Sequence, residues 1–192
     1  MDLFCVSSEA IGFLGSSFIA GCFVGSFILP RLADILGRKP IFIAGLIIYI
    51  LVVVGLLFCN KIGFAYFLLF MGGVAETGRY YVAFVYLIEF MPDRYQNKAG
   101  LWIFAVFGFV MTYIALQFWF IIKYWQINAA WALSLAVASL VLTQVWMPES
   151  PRFLYSRKRF QQSANVVERI YSFNKKGSIV VVCYSEDPIS QS

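Results

Sequence analysis

The chain has 192 residues with a net charge of +5, and 61% of its residues are hydrophobic while only 13% are charged. Soluble domains carry about 25% charged residues, so this composition excludes an ordinary soluble protein and indicates a membrane protein. Histidine is absent, which removes the commonest general base and metal ligand. With no catalytic triad pattern or metal cluster either, we expect neither an enzyme nor a cofactor.

Five apolar stretches have the length of about 20 residues that a helix needs to cross the hydrocarbon core. They cover residues 10–29, 41–59, 62–90, 99–122 and 129–147. Little more than Asn60 and Lys61 joins the second stretch to the third, so these two should be antiparallel neighbours. The sequence therefore predicts an all-α membrane protein with five transmembrane helices.

The cations are distributed unequally between the two sides of these spans. Twelve of the 15 Lys and Arg residues fall in the loop before the second span, the loop after the third, or the tail after the fifth. The positive-inside rule assigns that side to the cytoplasm and the N-terminus to the outside. The net charge is thus a signal of topology, and we expect no binding of nucleic acid. Cys5 and Cys59 fall on the outer side, where a disulfide is conceivable but not established by the sequence.

The charged stretch at residues 30–40, PRLADILGRKP, connects the first two spans. Gly37 allows a backbone turn that other residues resist. Asp34 can accept hydrogen bonds from a helix N-terminus, whose partial positive charge favours an anion. Arg38 can bridge to a carboxylate at the same end of a neighbouring helix, and Glu89 is placed there. Such an arrangement would form an electrostatic latch that is able to open.

Several of these segments resemble the major facilitator superfamily. Residues 33–40, ADILGRKP, resemble its signature between helices two and three, G-x-x-x-D-x-x-G-R-K, which ends here at Lys39. PESPRFL after the fifth span and YLIEFMP at the end of the third resemble the sugar and organic-ion branches. DLFC and RYYVAFV are similar to organic cation and carnitine transporters. The resemblance implies transport of a small organic solute by alternating access, with Lys39 of the signature and Glu149 and Arg152 of PESPR as further members of the cytoplasmic gate latch.

The sequence also departs from the family pattern at four positions. Pro30 replaces a glycine of the signature, and Leu69 and Gln96 stand where arginines are usual. Phe104 stands near the position at which sugar porters carry a glutamine. These differences favour organic ions over sugars as substrates and suggest that the latch is connected differently.

The third span carries Glu76 and Arg79 about halfway along its length. Charged groups at that depth are costly and usually face a cavity or a partner. One interpretation is a structural ion pair. The other is that one of the two binds a charged substrate or a proton, with Tyr80 and Phe84 providing aromatic faces for a cation. Helix packing is the alternative role for both aromatic residues.

The chain divides into a partial N-terminal bundle at residues 1–147, a linker region at 148–174 with an amphipathic helix, and a tail at 175–192 without an assigned function. The five spans match helices two to six of the twelve-helix family fold. The expected partners are therefore the lipid bilayer, a small-molecule substrate, and either the missing second half or another membrane chain. We expect either a piece of a larger transporter, in the plasma membrane rather than in an organelle, or a truncated subunit that does not transport.

Overall fold

A computed structural model describes residues 8–59, 61–91, 93–120 and 125–174 of the chain, and these residues form helices. The helices are α1 Ser8–Leu36, α2 Arg38–Phe58, α3 Ile62–Glu89, α4 Asp93–Phe120, α5 Trp125–Trp146, α6 Pro151–Ser156 and α7 Phe160–Asn174. The prediction of an all-α protein is confirmed. The tail at 175–192 and Cys5 lie outside the described residues, while Cys59 is a buried free thiol.

Four of these helices are long and apolar enough to cross a membrane. They are Glu9–Leu36, Arg38–Phe58, Arg94–Trp119 and Gln126–Trp146. Together they confirm the prediction of an integral, multi-pass membrane protein. The remaining long helix, α3, has 28 residues and coincides with the third predicted span. Helix α3, which carries Glu76, Arg79 and Glu89, is not among these four helices.

Helix α1 extends further than the sequence predicts. We expected a loop over residues 30–40, but α1 continues to Leu36 and the connection to α2 is the single residue Gly37. Pro30 lies inside the helix, where a proline removes one intrahelical hydrogen bond. The residues that follow compensate, because Ala33 is 5% exposed in an apolar cluster shared with α2 and α3. Burial of this helical face therefore outweighs the local helix-breaking signal.

Helices α1 and α3 cross at very short distance through glycines. A Cβ atom added at Gly21 would lie 2.0 Å from the carbonyl oxygen of Phe70, and one added at Gly73 would lie 2.1 Å from that of Phe18. The Thr77 hydroxyl of α3 donates to the Cys22 carbonyl of α1 at 3.3 Å. Small residues that let backbones approach are the usual basis of helix packing in lipid. Helix α3 therefore forms the centre of the bundle, between α1 and α2.

Helix α4 differs from the other long helices in that almost all its side chains are exposed. Trp119 is 80% exposed, Phe109 74% and Trp102 72%. An apolar surface of this kind is unfavourable in water but compatible with hydrocarbon or with a neighbouring membrane helix. The α4 contacts with the bundle are made to α3, whereas α5 packs against α2.

The segment after α5 forms two shorter helices, α6 and α7. Pro151 begins α6, and the Ser150 hydroxyl accepts a hydrogen bond from the Phe153 amide at 3.4 Å as its N-cap. Proline suits this position because the first helical N–H has no intrahelical acceptor. Helix α7 coincides with the predicted amphipathic helix, and the Ser163 hydroxyl fixes it to α6 by donating to the Pro151 carbonyl at 3.0 Å.

Candidate functional site

A group of charged side chains surrounds the connection between α1 and α2, and we call it the turn cluster: Asp34, Arg38, Glu89 and Glu149. The Arg38 Nε donates to the Glu89 Oε1 at 3.0 Å, and its Nη2 lies 2.9 Å from the Asp34 Oδ1. The Arg38 side chain is 16% exposed and that of Glu89 is 11% exposed, whereas Asp34 is 68% exposed. One guanidinium thus joins α2 to the ends of both α1 and α3. This is the contact between Arg38 and Glu89 that the sequence predicted, and its function as a latch stays a prediction.

Glu149 binds the N-terminus of α2 from the segment that follows α5. Its Oε1 accepts hydrogen bonds from the backbone amides of Arg38 at 3.1 Å and Lys39 at 3.2 Å. The next residue, Pro40, has no amide hydrogen to satisfy. A carboxylate at this position meets both the unpaired N–H groups and the positive end of the helix dipole. Glu149 therefore caps α2, a role that the sequence analysis did not assign to it.

Gly37 is required for this arrangement by both its conformation and its surroundings. Its φ angle is +113°, a region that residues with a side chain rarely adopt. A Cβ atom would lie 2.7 Å from the Glu149 Oε2 and 3.3 Å from the Phe153 Cε1. The absence of a side chain is thus what lets Glu149 reach the first turn of α2.

Phe153 and Arg157 join the cluster, although sequence reasoning did not select either residue. The Phe153 ring lies between two guanidinium groups, with its centroid 5.3 Å from the Arg38 Cζ and 5.6 Å from the Arg157 Cζ. The Arg157 Nη2 donates to the carbonyls of Asp34 at 3.2 Å and Ile35 at 2.7 Å. Helix α1 has no basic residue in its last turn, and a cation near the C-terminal carbonyls of a helix is stabilising. The absence of a cation within that turn was the available signal for Arg157.

Other residues at this end of the bundle have separate contacts. The Lys39 Nζ donates to the Met147 carbonyl at 2.6 Å, and the Tyr86 hydroxyl donates to the Pro148 carbonyl. Arg152 lies in the first turn of α6 with an exposed side chain. Gln96, at a position where the resemblance expects an arginine, donates to the Met91 carbonyl at 3.4 Å. Lys39 and Tyr86 therefore attach α2 and α3 to the segment between α5 and α6.

The second candidate site is the pair of charges in the middle of α3. The Arg79 Nη2 forms an ion pair with the Glu76 Oε2, and the side chains are 33% and 28% exposed. The Arg79 Cζ also lies 4.2 Å from the centroid of the Tyr49 ring on α2. Within the described ranges, the buried Arg79 Nε has no hydrogen-bond partner. The structural ion pair considered above is thus present, and a role in binding substrate stays a prediction.

The aromatic residues proposed for the pathway pack against α4. The Tyr80 ring centroid lies 5.4 Å from that of Phe107, and the Phe84 centroid lies 6.0 Å from that of Phe104. These contacts give both residues a packing role, which was the alternative to substrate binding. Tyr80 nevertheless lies one helical turn from Glu76, so the acid and the aromatic ring share one side of α3.

Comparison with known proteins agrees with this architecture. Residues 5–179 match the family model described as Sugar (and other) transporter. The chain is 25% identical to Organic cation/carnitine transporter 2 of Arabidopsis thaliana, covering 97% of this chain and 37% of that protein. It is 27% identical to Solute carrier family 22 member 16 of Xenopus laevis, covering 91% and 30%. Synaptic vesicle glycoprotein 2B of Rattus norvegicus is 28% identical, with 90% and 27% covered.

The chain thus spans about a third of the length of the curated relatives it matches. The match to the family model extends from the residues before α1 to those beyond α7, and includes every helix described above. This chain therefore belongs to the sugar (and other) transporter family, in the sugar and organic-cation branch of the major facilitator superfamily.

Proposed function

We propose that this chain acts in the transport of a small organic solute by alternating access, as part of a larger transporter. Its family membership supports membrane transport, and the name of the Arabidopsis relative points to organic cations and carnitine. An organic ion fits the departures from the sugar-porter pattern better than a sugar does. Alternating access requires two groups of helices that rock about a central site, so the remaining helices would come from further sequence or another chain.

The observation that carries this mechanism is the turn cluster. Arg38 contacts α1 through Asp34 and α3 through Glu89, and its backbone amide binds Glu149 beyond α5. When one group of helices rotates against another, the salt bridges at their interface break and form again with new partners. The Asp34 carboxylate pairs with Arg38 but is 68% exposed, so a helix of the second half could replace Arg38 as its partner. The cluster would therefore close one side of the transporter and release it when the halves move.

We also propose that α3 crosses the membrane as a fifth span, with the N-terminus outside and the cluster in the cytoplasm. Helix α3 packs along both α1 and α2, and its 28 residues match the 29 of α1. The uneven distribution of cations supports the orientation. The plasma membrane is the proposed location.

The proposed pathway residue is Glu76, with Arg79 as its partner. Its position in a spanning helix near Tyr80 suits binding of a cationic group or a proton. We expect Glu76→Gln to abolish uptake of a quaternary ammonium probe while the protein still reaches the membrane in normal amount. Glu9→Gln, in the first turn of α1, is the matched control and should retain uptake. Normal uptake by a competent assembly that carries Glu76→Gln would reject this role.

The alternative is a truncated subunit that does not transport. The packing of α1, α2 and α3 against one another favours it, because these helices share buried clusters without another chain. An antibody against residues 155–175 would measure the mass of the native product. A band well above the calculated 21.8 kDa would support the larger transporter. A stable band at that mass would support the subunit and would direct the search to its membrane partner.

A further inference from the structure

We propose that a cationic surface formed by Arg31, Lys158 and Arg159, here called the basic patch, binds the headgroups of anionic lipids. The inference concerns lipid recognition and goes beyond the transport of a solute. It relies on the proposed topology only for the leaflet concerned, which would be the cytoplasmic one. All three side chains are exposed.

The chain holds two of these cations close to the end of α1. Lys158 and Arg159 follow Arg157 directly, and the Arg157 Nη2 donates to the carbonyls of Asp34 and Ile35 at 3.2 and 2.7 Å. The Arg159 amide donates to the Leu154 carbonyl at 3.0 Å, which fixes the turn to α6. The basic turn is therefore not a free tail but a segment attached where a spanning helix ends.

Lys158 occupies a backbone position at which lysine has no conformational advantage. Its φ angle is +59°, in the left-handed region, and it is the one positive-φ residue other than glycine among the described residues. Glycine or asparagine is favoured at such a position. The position ends α6 as a Schellman motif, because the Lys158 amide donates to the Tyr155 carbonyl at 2.9 Å and the Arg159 amide to the Leu154 carbonyl at 3.0 Å. The exposed ammonium group, rather than the turn, is what a lysine adds here.

The neighbouring surface of α1 is apolar and faces outward. Ile35 is 61% exposed and Leu36 is 58% exposed. Arg31 lies four residues before Ile35 and so on the same helix face. An arginine one turn inside an apolar helix end extends its guanidinium toward the headgroup level while its stem remains in hydrocarbon. Cations beside exposed isoleucine and leucine fit a lipid surface better than they fit a nucleic acid or an acidic peptide.

Two acids near the end of α1 have partners of their own. Asp34 pairs with Arg38, and Glu149 accepts hydrogen bonds from the N-terminus of α2. The basic patch therefore keeps a positive field at the membrane surface. The cytoplasmic leaflet carries negative lipids, and juxtamembrane Lys and Arg residues bind it with a strength that falls off within one Debye length. Such a contact would hold α6 and α7 against the bilayer beside the turn cluster.

The test is native mass spectrometry of the purified chain in detergent, with phosphatidylserine and phosphatidylcholine added in equal amounts. The test variant is Lys158→Gln with Arg159→Gln, and the matched control is Arg94→Gln with Lys98→Gln. Both remove two exposed cations from the same side of the bundle. We expect the wild type and the control to retain phosphatidylserine in preference to phosphatidylcholine. The test variant should lose that preference by roughly tenfold to thirtyfold.

Equal retention of the two lipids by the wild type would overturn the proposal, as would equal losses in the two variants, since the effect would then follow net charge alone. Competition by millimolar inorganic phosphate that removes all phosphatidylserine would show a site for a free anion and would also contradict it. Because the measurement is made in detergent, an error in the proposed orientation or transport activity cannot produce or hide the result. Thermal unfolding of each variant shows that the bundle is still folded.

Discussion

Two arginine–glutamate pairs in the described part of the chain, Arg38–Glu89 and Arg79–Glu76, differ in what they connect. Arg38 and Glu89 are 51 residues apart and belong to different helices, with side chains 16% and 11% exposed. Arg79 and Glu76 are three residues apart on α3, with side chains 33% and 28% exposed. The first pair holds two helices in one relative position. The second orients side chains within a single helix.

The Arg38–Glu89 pair thus maintains the packing of two helices, whereas the Arg79–Glu76 pair has side chains that a ligand can reach. Removing one member of the buried pair leaves an uncompensated charge between helices, which is among the most destabilising changes in proteins. A local, partly exposed pair gives up less when a substrate or proton replaces one partner. We therefore expect substitutions at the turn cluster to reduce stability most, and substitutions at the α3 pair to reduce transport more than stability.

The largest expected effect is that of Arg38→Met. The substitution keeps an apolar stem but leaves the buried carboxylate of Glu89 without a cation, and we expect a loss of about 3–5 kcal/mol of unfolding free energy. The measurement is unfolding in detergent followed by tryptophan fluorescence. The double variant with Glu89→Leu removes both charges and should recover most of this loss. A double variant no more stable than Arg38→Met would show that the pair does not connect the two helices energetically.

The second effect concerns the glycine that brings the pair and its cap together. Gly37→Ala imposes a side chain on a φ of +113° and places its Cβ 2.7 Å from the Glu149 Oε2. We expect a loss of about 1–3 kcal/mol, because backbone strain and displacement of Glu149 add. Gly63→Ala is the control, since a Cβ atom there has nothing within 4 Å. A similar loss in both variants would mean that the turn geometry is not limiting.

The sequence predicted part of this cluster for a clear physical reason. Arg38 and Glu89 lie at helix ends that short connections and apolar spans place on one side of the bundle. Their separation of 3.0 Å agrees with that placement. The sequence could not predict that α1 continues through Pro30. A proline locally disfavours a helix, and the burial of Ala33 outweighs this effect.

The capping of α2 by Glu149 could not be predicted from local sequence patterns either. Glu149 and the Arg38 amide are 111 residues apart, and no spacing rule relates them. Phe153 and Arg157 are separated from the α1 end by similar distances along the chain. Such contacts depend on the relative position of helices, which packing determines. The α3 pair, by contrast, was readable from the sequence as an i, i+3 ion pair, while its function was not.

The third effect is that of Glu149→Gln, which keeps a hydrogen-bond acceptor but removes the charge at the α2 N-terminus. We expect a loss of about 1 kcal/mol, the usual size of a charge effect at a helix end. Glu168→Gln on the exposed surface of α7 removes the same charge without a helix-terminus contact and should leave the unfolding midpoint unchanged. If Glu149→Gln were as mild as Glu168→Gln, the cap would be geometric rather than electrostatic.

The smallest effect on stability should come from the α3 pair and is best measured as a coupling energy. A double-mutant cycle of Glu76→Gln and Arg79→Gln should give less than about 1 kcal/mol, because the pair joins two residues of one helix at i, i+3 spacing. The stacking of Arg79 on Tyr49 remains when Glu76 is neutralised, which further limits the loss. The corresponding cycle of Arg38→Met and Glu89→Leu should give several times that value. A coupling at the α3 pair equal to that of the turn cluster would identify it as a structural bridge, and the proposed binding role of Glu76 would then lose its physical basis.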